Sequence, residues 1–216
     1  MNNLLEIRKL SKSYRSFSLK DVSFVLPTGY IMGFIGPNGA GKTTTIKSIL
    51  NMIGFSSGEI EVFGLNNRDQ SAQINDRIGV VMDTPFYVDD WTTHDVEAAV
   101  SPFYAHWKHD KSVLFSTHIT GDLEKIADYI TFILDGDIVF SGLKEELLEK
   151  YVLVKGGLQE LGDAHRKYVV GLREHGTGFE GMVESADIGK FSKDVMIEPI
   201  SLEEIVVFMN KEGKPS

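Results

Sequence analysis

An eight-residue glycine-rich segment has the residue types and spacing best suited to chemistry. It reads GPNGAGKT, runs from Gly36 to Thr43 and matches the pattern G-x-x-x-x-G-K-[ST] at every fixed position. In such a loop, backbone N–H groups surround phosphate oxygens, the lysine reaches the β- and γ-phosphates and the last hydroxyl holds Mg²⁺. Lys42 and Thr43 are therefore the predicted phosphate and metal ligands. The predicted cradle consists of Gly36, Pro37, Asn38, Gly39, Ala40 and Gly41.

The segments on either side of the loop must position it. Residues 30–35 are apolar and predict a buried strand. The apolar residues that follow the loop have helical spacing: Ile46, Ile49, Leu50 and Ile53. A strand, a glycine loop and a helix in this order put the loop at the positive end of the helix, which attracts phosphate. This context favours a phosphate site over a simple glycine turn. Thr44 is either a further phosphate ligand or an exposed threonine of the first helical turn.

Composition restricts the class of protein. The chain has 216 residues, which suits one domain with a small additional lobe. Its formal net charge of −9 argues against nucleic acid as the main partner. The absence of cysteine excludes a disulfide framework and thiolate chemistry. No apolar run approaches the roughly 20 residues of a membrane-spanning helix, and the first residues lack a signal-peptide pattern. We therefore expect a soluble protein, in which any membrane role comes through a partner.

The remaining sequence alternates between strand and helix patterns. Strands are predicted over residues 4–10, 17–26, 59–63, 78–82, 112–116, 129–134 and 137–140. Helices are predicted around residues 123–127 and over residues 143–151. Asp135-Gly136 predicts a two-residue hairpin turn, and Ser201 with Glu204 predicts a capping box before a last helix. Short strands with scattered glycines follow residue 152, which indicates a small α+β lobe.

Most of the chain resembles the ATP-binding subunit of ABC transporters. Tyr14, in the segment LSKSY, stands where the family has an aromatic ring that stacks on adenine; the alternative is a tyrosine on a strand edge. Residues 78–85 resemble the Q-loop, with Asp83 in place of the glutamine that contacts Mg²⁺ and couples to the membrane partner. Residues 115–118 resemble the H-loop, in which His118 would sense the γ-phosphate.

This resemblance implies an α/β fold: a P-loop NTPase core with an N-terminal antiparallel β-subdomain and a small C-terminal α+β lobe. The ATP-binding domain would cover residues 1–151 and the lobe residues 152–216. The cofactors would be ATP and Mg²⁺, with Lys42, Asp83 and His118 in catalytic roles and Thr43 and Asp83 as metal ligands. The expected partners are an integral-membrane permease and a second ATP-binding subunit, in a homodimer or heterodimer at the inner face of the cell membrane.

The C-terminal segment narrows the kind of permease. Residues 199–205, PISLEEI, resemble the ending of subunits that pair with ABC-2-type permeases, many of which are exporters. The resemblance therefore implies an ATPase that drives export through a separate permease.

Two segments that define the family are not in the sequence. There is no LSGGQ-like segment and no Walker B strand ending in Asp-Glu, which supplies the general base in the family. Asp83 and His118 are only 35 positions apart, several dozen fewer than the family requires. We hypothesise that the sequence joins two segments near Asp110-Lys111, and we expect the sheet to lack a central strand there. The alternative is a module that binds nucleotide without hydrolysing it. A GTPase or small-molecule kinase is disfavoured by Tyr14, the H-loop and the tail.

Overall fold

The computed structural model of the chain describes residues 2–80, 111–116 and 120–212, and the fold is given for that part. Its strands are β1 (Asn3–Ser13), β2 (Ser18–Pro27), β3 (Ile31–Ile35), β4 (Ser57–Val62), β5 (Leu65–Asn66), β6 (Val113–Ser116), β7 (Tyr129–Leu134), β8 (Asp137–Leu143), β9 (Tyr151–Gly156), β10 (Val169–His175), β11 (Gly178–Glu184) and β12 (Met196–Pro199). Its α-helices are α1 (Lys42–Ile49), α2 (Ser71–Asn75), α3 (Thr120–Ile126), α4 (Lys144–Lys150), α5 (Asp163–Arg166) and α6 (Leu202–Glu212).

An antiparallel sheet in the order β2-β1-β4-β5 forms the N-terminal part of the fold. Alternate residues of a strand face the same side, and Leu5 and Ile7 of β1 are buried on that basis. The alternation then skips a residue, because a register shift between Ile7 and Leu10 and a positive φ of 49° at Lys9 mark a bulge. The bulge keeps Leu10 on the buried face as well. The predicted antiparallel β-subdomain is confirmed.

A mixed sheet in the order β6-β3-β7-β8 forms the centre of the core. β3 pairs in parallel with both β6 and β7, and β8 pairs antiparallel with β7. Strands of a parallel sheet that are covered on both faces are apolar throughout. Accordingly Met32, Phe34 and Ile35 of β3 are fully buried.

The expected gap in the middle of this sheet is not observed. In the part of the chain that the structure describes, β6 pairs directly with β3, the strand that leads into the glycine loop. No position is therefore open between β3 and β6, and the missing strand itself stays a prediction. The open position of the described sheet therefore lies outside β6.

The C-terminal lobe is a second antiparallel sheet, in the order β10-β11-β9-β12. It packs on the core through α6, because Leu202, Ile205 and Phe208 of α6 are buried in the same cluster as Ile130 of β7 and Leu147 of α4. The predicted α+β lobe is confirmed, and the domain boundary after residue 151 stays a prediction.

The local signals near the chain's turns have mixed outcomes. Asp135 and Gly136 have φ values of 47° and 85°, the positive pair that a two-residue hairpin requires. The Ser201 Oγ accepts a hydrogen bond from the Glu204 N–H at 3.2 Å, and the Glu204 carboxylate accepts one from the Ser201 N–H at 2.8 Å, so the capping box is confirmed. The strand expected over residues 78–82 is wrong for residues 78–80, which form no strand and leave Val80 49% exposed.

The failure at residues 78–80 has a simple physical reason. An apolar run forms a strand only where it has a pairing partner, and no described strand pairs with these residues. None of the helices in the described ranges has the length and apolar character needed to cross a membrane.

Candidate phosphate-binding site

The glycine loop fills the turn between β3 and α1. Gly36 and Gly41 have φ values of 151° and 115°, which L side chains rarely adopt. A Cβ atom at Gly36 would overlap the carbonyl oxygen of Ile133 in β7, and one at Gly41 would lie 2.6 Å from the Leu19 side chain in β2. The loop is thus pressed against two neighbouring strands, and only glycine fits at these two contacts.

Lys42, the first residue of α1, lies over the loop. Its ammonium group donates hydrogen bonds to the carbonyl oxygens of Gly36 at 2.5 Å and Pro37 at 3.0 Å. Burial lowers the pKa of the Lys42 ammonium group, and within the described ranges no carboxylate forms an ion pair with it. A phosphate bound in the loop would supply the missing negative charge.

The loop also presents backbone donors. The Ala40 N–H donates to the Pro37 carbonyl at 3.2 Å. The N–H groups of Gly39 and Gly41, by contrast, have no acceptor among the residues that the structure describes. Unpaired N–H groups at a helix N-terminus bind anions. The arrangement therefore fits phosphate oxygens.

The hydroxyls of α1 divide into two groups. Thr45 and Ser48 are buried and donate to the carbonyls of Gly41 at 3.0 Å and Thr44 at 2.9 Å. Thr43 is exposed and Thr44 is half-buried, and neither hydroxyl has a hydrogen-bond partner in the described part of the chain. Thr43 is therefore available as the predicted metal ligand, and Thr44 as the predicted further phosphate ligand.

Helix α1 ends earlier than its apolar spacing predicts. Ile53 lies beyond the helix, because Asn51 adopts a φ of 53° and the Met52 N–H donates to the Lys47 carbonyl at 2.9 Å. These features form a Schellman end. The buried Asn67 also donates from Nδ2 to the carbonyl of Ile49 at 2.5 Å. Asn67 was not identified from the sequence, because this contact joins residues 18 positions apart.

Tyr14 lies in the turn between β1 and β2. Its N–H donates to the Phe17 carbonyl at 2.7 Å, and its side chain is 48% exposed. The Lys12 ammonium group lies 4.9 Å from the centre of the tyrosine ring. The Phe17 ring reaches the loop, because a Cβ atom at Gly41 would lie 2.8 Å from it. The structure therefore brings the predicted adenine residue to the same end of the N-terminal sheet as the loop.

Three predictions fall outside the described residues: Asp83, His118 and the junction that follows Asp110. The structure does describe the strand that precedes His118. This strand is β6, and its last residue, Ser116, pairs with Phe34 of β3. The carboxyl ends of both strands therefore lie side by side, where ligands bind in open α/β sheets.

A magnesium ion would find few protein ligands in the described part of the chain. No group of three His, Cys, Asp or Glu side chains there could hold a metal. Mg²⁺ is commonly bound by one or two protein oxygens together with substrate phosphates and water. The exposed Thr43 hydroxyl fits that role, and the site would need the nucleotide to complete it.

Comparison with solved structures supports the fold. The structure of an ATP-binding subunit of an ABC transporter matches with a TM-score of 0.55 and 19% identity, over 67% of this chain and 91% of that one. The structure of cbiO1 from Clostridium perfringens, part of the ABC transporter complex cbiONQ, matches with a TM-score of 0.53 and 14% identity, over 68% of this chain and 91% of that one.

Curated relatives are similar in sequence over parts of the chain. The bacitracin transport ATP-binding protein BcrA of Bacillus licheniformis is 36% identical over 168 residues, which cover 76% of this chain and 47% of BcrA. The uncharacterized ABC transporter ATP-binding protein YhcH of Bacillus subtilis is 34% identical over 86 residues, which cover 39% of this chain and 28% of YhcH. The chain thus spans less than half the length of these two relatives.

A family comparison covers the glycine loop, β3 and the strands that hold them. The ABC transporter family model matches residues 19–147, more than half of the chain. The chain therefore belongs to the ABC transporter family, as one of its nucleotide-binding subunits.

Proposed function

We propose that this chain binds ATP with Mg²⁺ and belongs to a transporter in which ATP hydrolysis drives a separate membrane permease, in the direction of export. The observation that supports binding most directly is the loop itself. The Lys42 ammonium group lies on the carbonyls of Gly36 and Pro37 without a carboxylate partner among the described residues. Beside it, the N–H groups of Gly39 and Gly41 are also without an acceptor there.

The chemistry of such a site consists of positioning and charge stabilisation. Lys42 and the loop N–H groups would neutralise the β- and γ-phosphates, Thr43 would hold Mg²⁺, and Tyr14 would stack on adenine. Mg²⁺ would supply further charge neutralisation at the phosphates. Asp83 and His118 are proposed to act on the metal and the γ-phosphate. The general base would come from the segment that the sequence lacks.

The transport role is supported by similarity. BcrA is named a bacitracin transport protein, and cbiO1 is part of a transporter complex. The confirmed capping box at Ser201 and Glu204 belongs to the C-terminal segment that resembles subunits of ABC-2-type permeases. We therefore propose a permease of that type as the membrane partner, a dimer of ATP-binding subunits, and a location at the inner face of the cell membrane.

The proposal of ATP binding is tested by thermal unfolding with and without Mg-ATP. At about a hundredfold excess over Kd, ATP should stabilise the chain by about 2.7 kcal/mol, which raises Tm by roughly 5–10 °C for a chain of this size. Lys42→Ala should abolish the rise. Lys47→Ala, which removes another lysine of the same helix, should retain it. An equal rise in wild type and Lys42→Ala would contradict a site at this loop.

A second candidate function is a nucleotide-binding module without turnover. It is favoured by one specific observation, the absence of an LSGGQ-like segment and of a strand ending in Asp-Glu from the sequence. The rate of steady-state phosphate release separates the two functions. It is measured for the 216-residue chain and for a longer form in which the family's Walker B and LSGGQ segment is inserted between Asp110 and Lys111. Release that stays at the level of Lys42→Ala in both forms would favour the module.

A further inference from the structure

The hairpin turn between β7 and β8 contacts the glycine loop directly. The Gly136 N–H donates to the Ala40 carbonyl at 3.0 Å, and the Gly136 carbonyl accepts from the Lys20 N–H of β2 at 2.9 Å. The Lys20 ammonium group also pairs with the Asp137 carboxylate at 2.9 Å. One turn residue thus links the phosphate loop to the N-terminal sheet.

The Ala40 carbonyl belongs to the same planar peptide as the Gly41 N–H. In a trans peptide the C=O and N–H bonds point in opposite directions. When Gly136 fixes the Ala40 carbonyl on the hairpin side, the Gly41 N–H must therefore point to the other side of the loop. That N–H has no acceptor among the described residues, as a phosphate ligand requires.

We propose that Gly136 is a positioning residue for the phosphate site, because its N–H orients the Ala40–Gly41 peptide so that the Gly41 N–H is directed at the bound phosphate. The proposal rests on the proposed nucleotide site. It assigns a role to a residue that lies about a hundred positions after the loop and contributes no side chain.

The geometry explains why glycine stands at this position. Gly136 has a φ of 85°, and a Cβ atom there would overlap the carbonyl oxygen of Ser18 in β2. Any side chain would push the turn away from β2 and draw the Gly136 N–H away from Ala40. The Gly41 N–H would then lose its fixed direction.

The chain contains a matched control in another hairpin turn. Phe63 and Gly64 join β4 to β5 with φ values of 56° and 73°, close to the 47° and 85° of Asp135 and Gly136. A Cβ atom at Gly64 would meet nothing within 4 Å. Gly64→Ala therefore introduces the same kind of backbone strain as Gly136→Ala without displacing a neighbour of the loop.

The first test measures equilibrium binding of Mg-ATP by wild type, Gly136→Ala and Gly64→Ala, at a temperature at which all three are folded. In Gly136→Ala the bond at risk is the proposed one from the Gly41 N–H to the charged phosphate. Loss of such a bond should weaken the binding of Mg-ATP about tenfold or more. We expect that loss for Gly136→Ala and less than about a twofold change for Gly64→Ala, although both lower Tm. Equal affinities of the two variants would overturn the proposal. Absence of binding by wild type would instead contradict the nucleotide site itself.

The second test uses the unmodified chain, so that it does not depend on the folding of Gly136→Ala. Amide hydrogen exchange is followed at Gly136 by NMR with and without Mg-ATP. Because bound phosphate should hold the Gly41 N–H and thereby the Ala40 carbonyl, exchange at Gly136 should slow with ATP relative to exchange at Gly64. Unchanged relative exchange, in a sample in which ATP binding is detected, would overturn the proposal.

Discussion

The two neighbours of β3 differ in how completely the described residues enclose them. On one side, Phe132 of β7 is fully buried, and the β7–β8 turn touches the glycine loop. On the other side, β6 pairs with β3, but its Phe115 is 42% exposed. A strand within a parallel sheet is normally buried on both faces. The sheet on the β7 side of β3 is therefore enclosed, whereas on the β6 side the described residues leave part of the strand exposed.

This difference divides the proposed function into two parts. The described residues proposed to bind phosphate, the loop and Lys42, lie at β3 and α1. Gly136, which contacts the loop through the Ala40 carbonyl, lies on the β7 side. The residues proposed to act in hydrolysis, Asp83 and His118, fall outside the described residues, and His118 follows β6 in the sequence. We infer that the proposed phosphate binding depends on residues that the structure describes, whereas hydrolysis depends on the segment that we hypothesise is missing near Asp110-Lys111.

The largest expected effect comes from restoring the segment that we hypothesise is missing near Asp110-Lys111. Inserting the family's Walker B and LSGGQ segment between Asp110 and Lys111 should raise ATP turnover on the order of 10²–10⁴-fold, because it restores a general base. Phosphate release is measured for both forms, with Lys42→Ala in the longer form as the control. Phosphate release no faster than that of the 216-residue chain would contradict the inferred dependence of hydrolysis on this segment.

A pair of phenylalanines tests the two sides for packing. Phe132→Ala on β7 should lower the free energy of unfolding by about 3–5 kcal/mol, because it empties a fully buried site. Phe115→Ala on β6 should lower it by no more than about 1 kcal/mol, since much of that ring is in water. Chemical denaturation measures both. Similar losses would show that the β6 edge is covered after all.

A smaller effect is expected at the far end of α1. Asn67→Ala removes the donor to the carbonyls of Ser48 at 3.3 Å and Ile49 at 2.5 Å. The Ser48 carbonyl still accepts from the Asn51 N–H at 3.1 Å, whereas the Ile49 carbonyl is left without its partner, which should cost about 1–3 kcal/mol of stability. Asn75→Ala, at an exposed position of α2, should change it by less than about 0.5 kcal/mol. Chemical denaturation without nucleotide measures both stability losses. Equal losses would contradict a stabilising role of Asn67 at the end of α1.

The smallest effect concerns the charge of Lys42 without nucleotide. Burial lowers the pKa of its ammonium group, so near that pKa the folded chain binds fewer protons than the unfolded chain. The unfolding free energy of wild type should therefore rise relative to that of Lys42→Met as pH increases from about 8 to about 10, toward the ordinary lysine pKa. A difference that stays constant or falls over this range would contradict the lowered pKa.

Features set by neighbouring residues were predictable from the sequence. The glycine loop, the Asp135-Gly136 turn and the Ser201 capping box depend on contacts within a few positions, and their backbone conformations are as expected. The roles of Lys42 and Thr43 as ligands stay predictions, since the structure describes only where these side chains lie.

Features set by distant contacts were not predictable. The pairing of β6 with β3, the support of α1 by Asn67 and the bond from Gly136 to Ala40 join residues far apart in the chain. Apolar spacing alone placed Ile53 on α1 and a strand at residues 78–80, and both were wrong. Ile53 was misplaced because the helix ends before it, and residues 78–80 because no described strand pairs with them. The local apolar pattern contains neither feature.

The most direct test of the central claim is the identity of the nucleotide that stays bound to the 216-residue chain. The chain is incubated with labelled Mg-ATP, separated from free nucleotide, and the bound fraction is analysed beside Lys42→Ala. The account predicts bound ATP that remains intact in wild type and no bound nucleotide in Lys42→Ala. Bound ADP with phosphate release above the Lys42→Ala level, or no bound nucleotide in wild type, would contradict it.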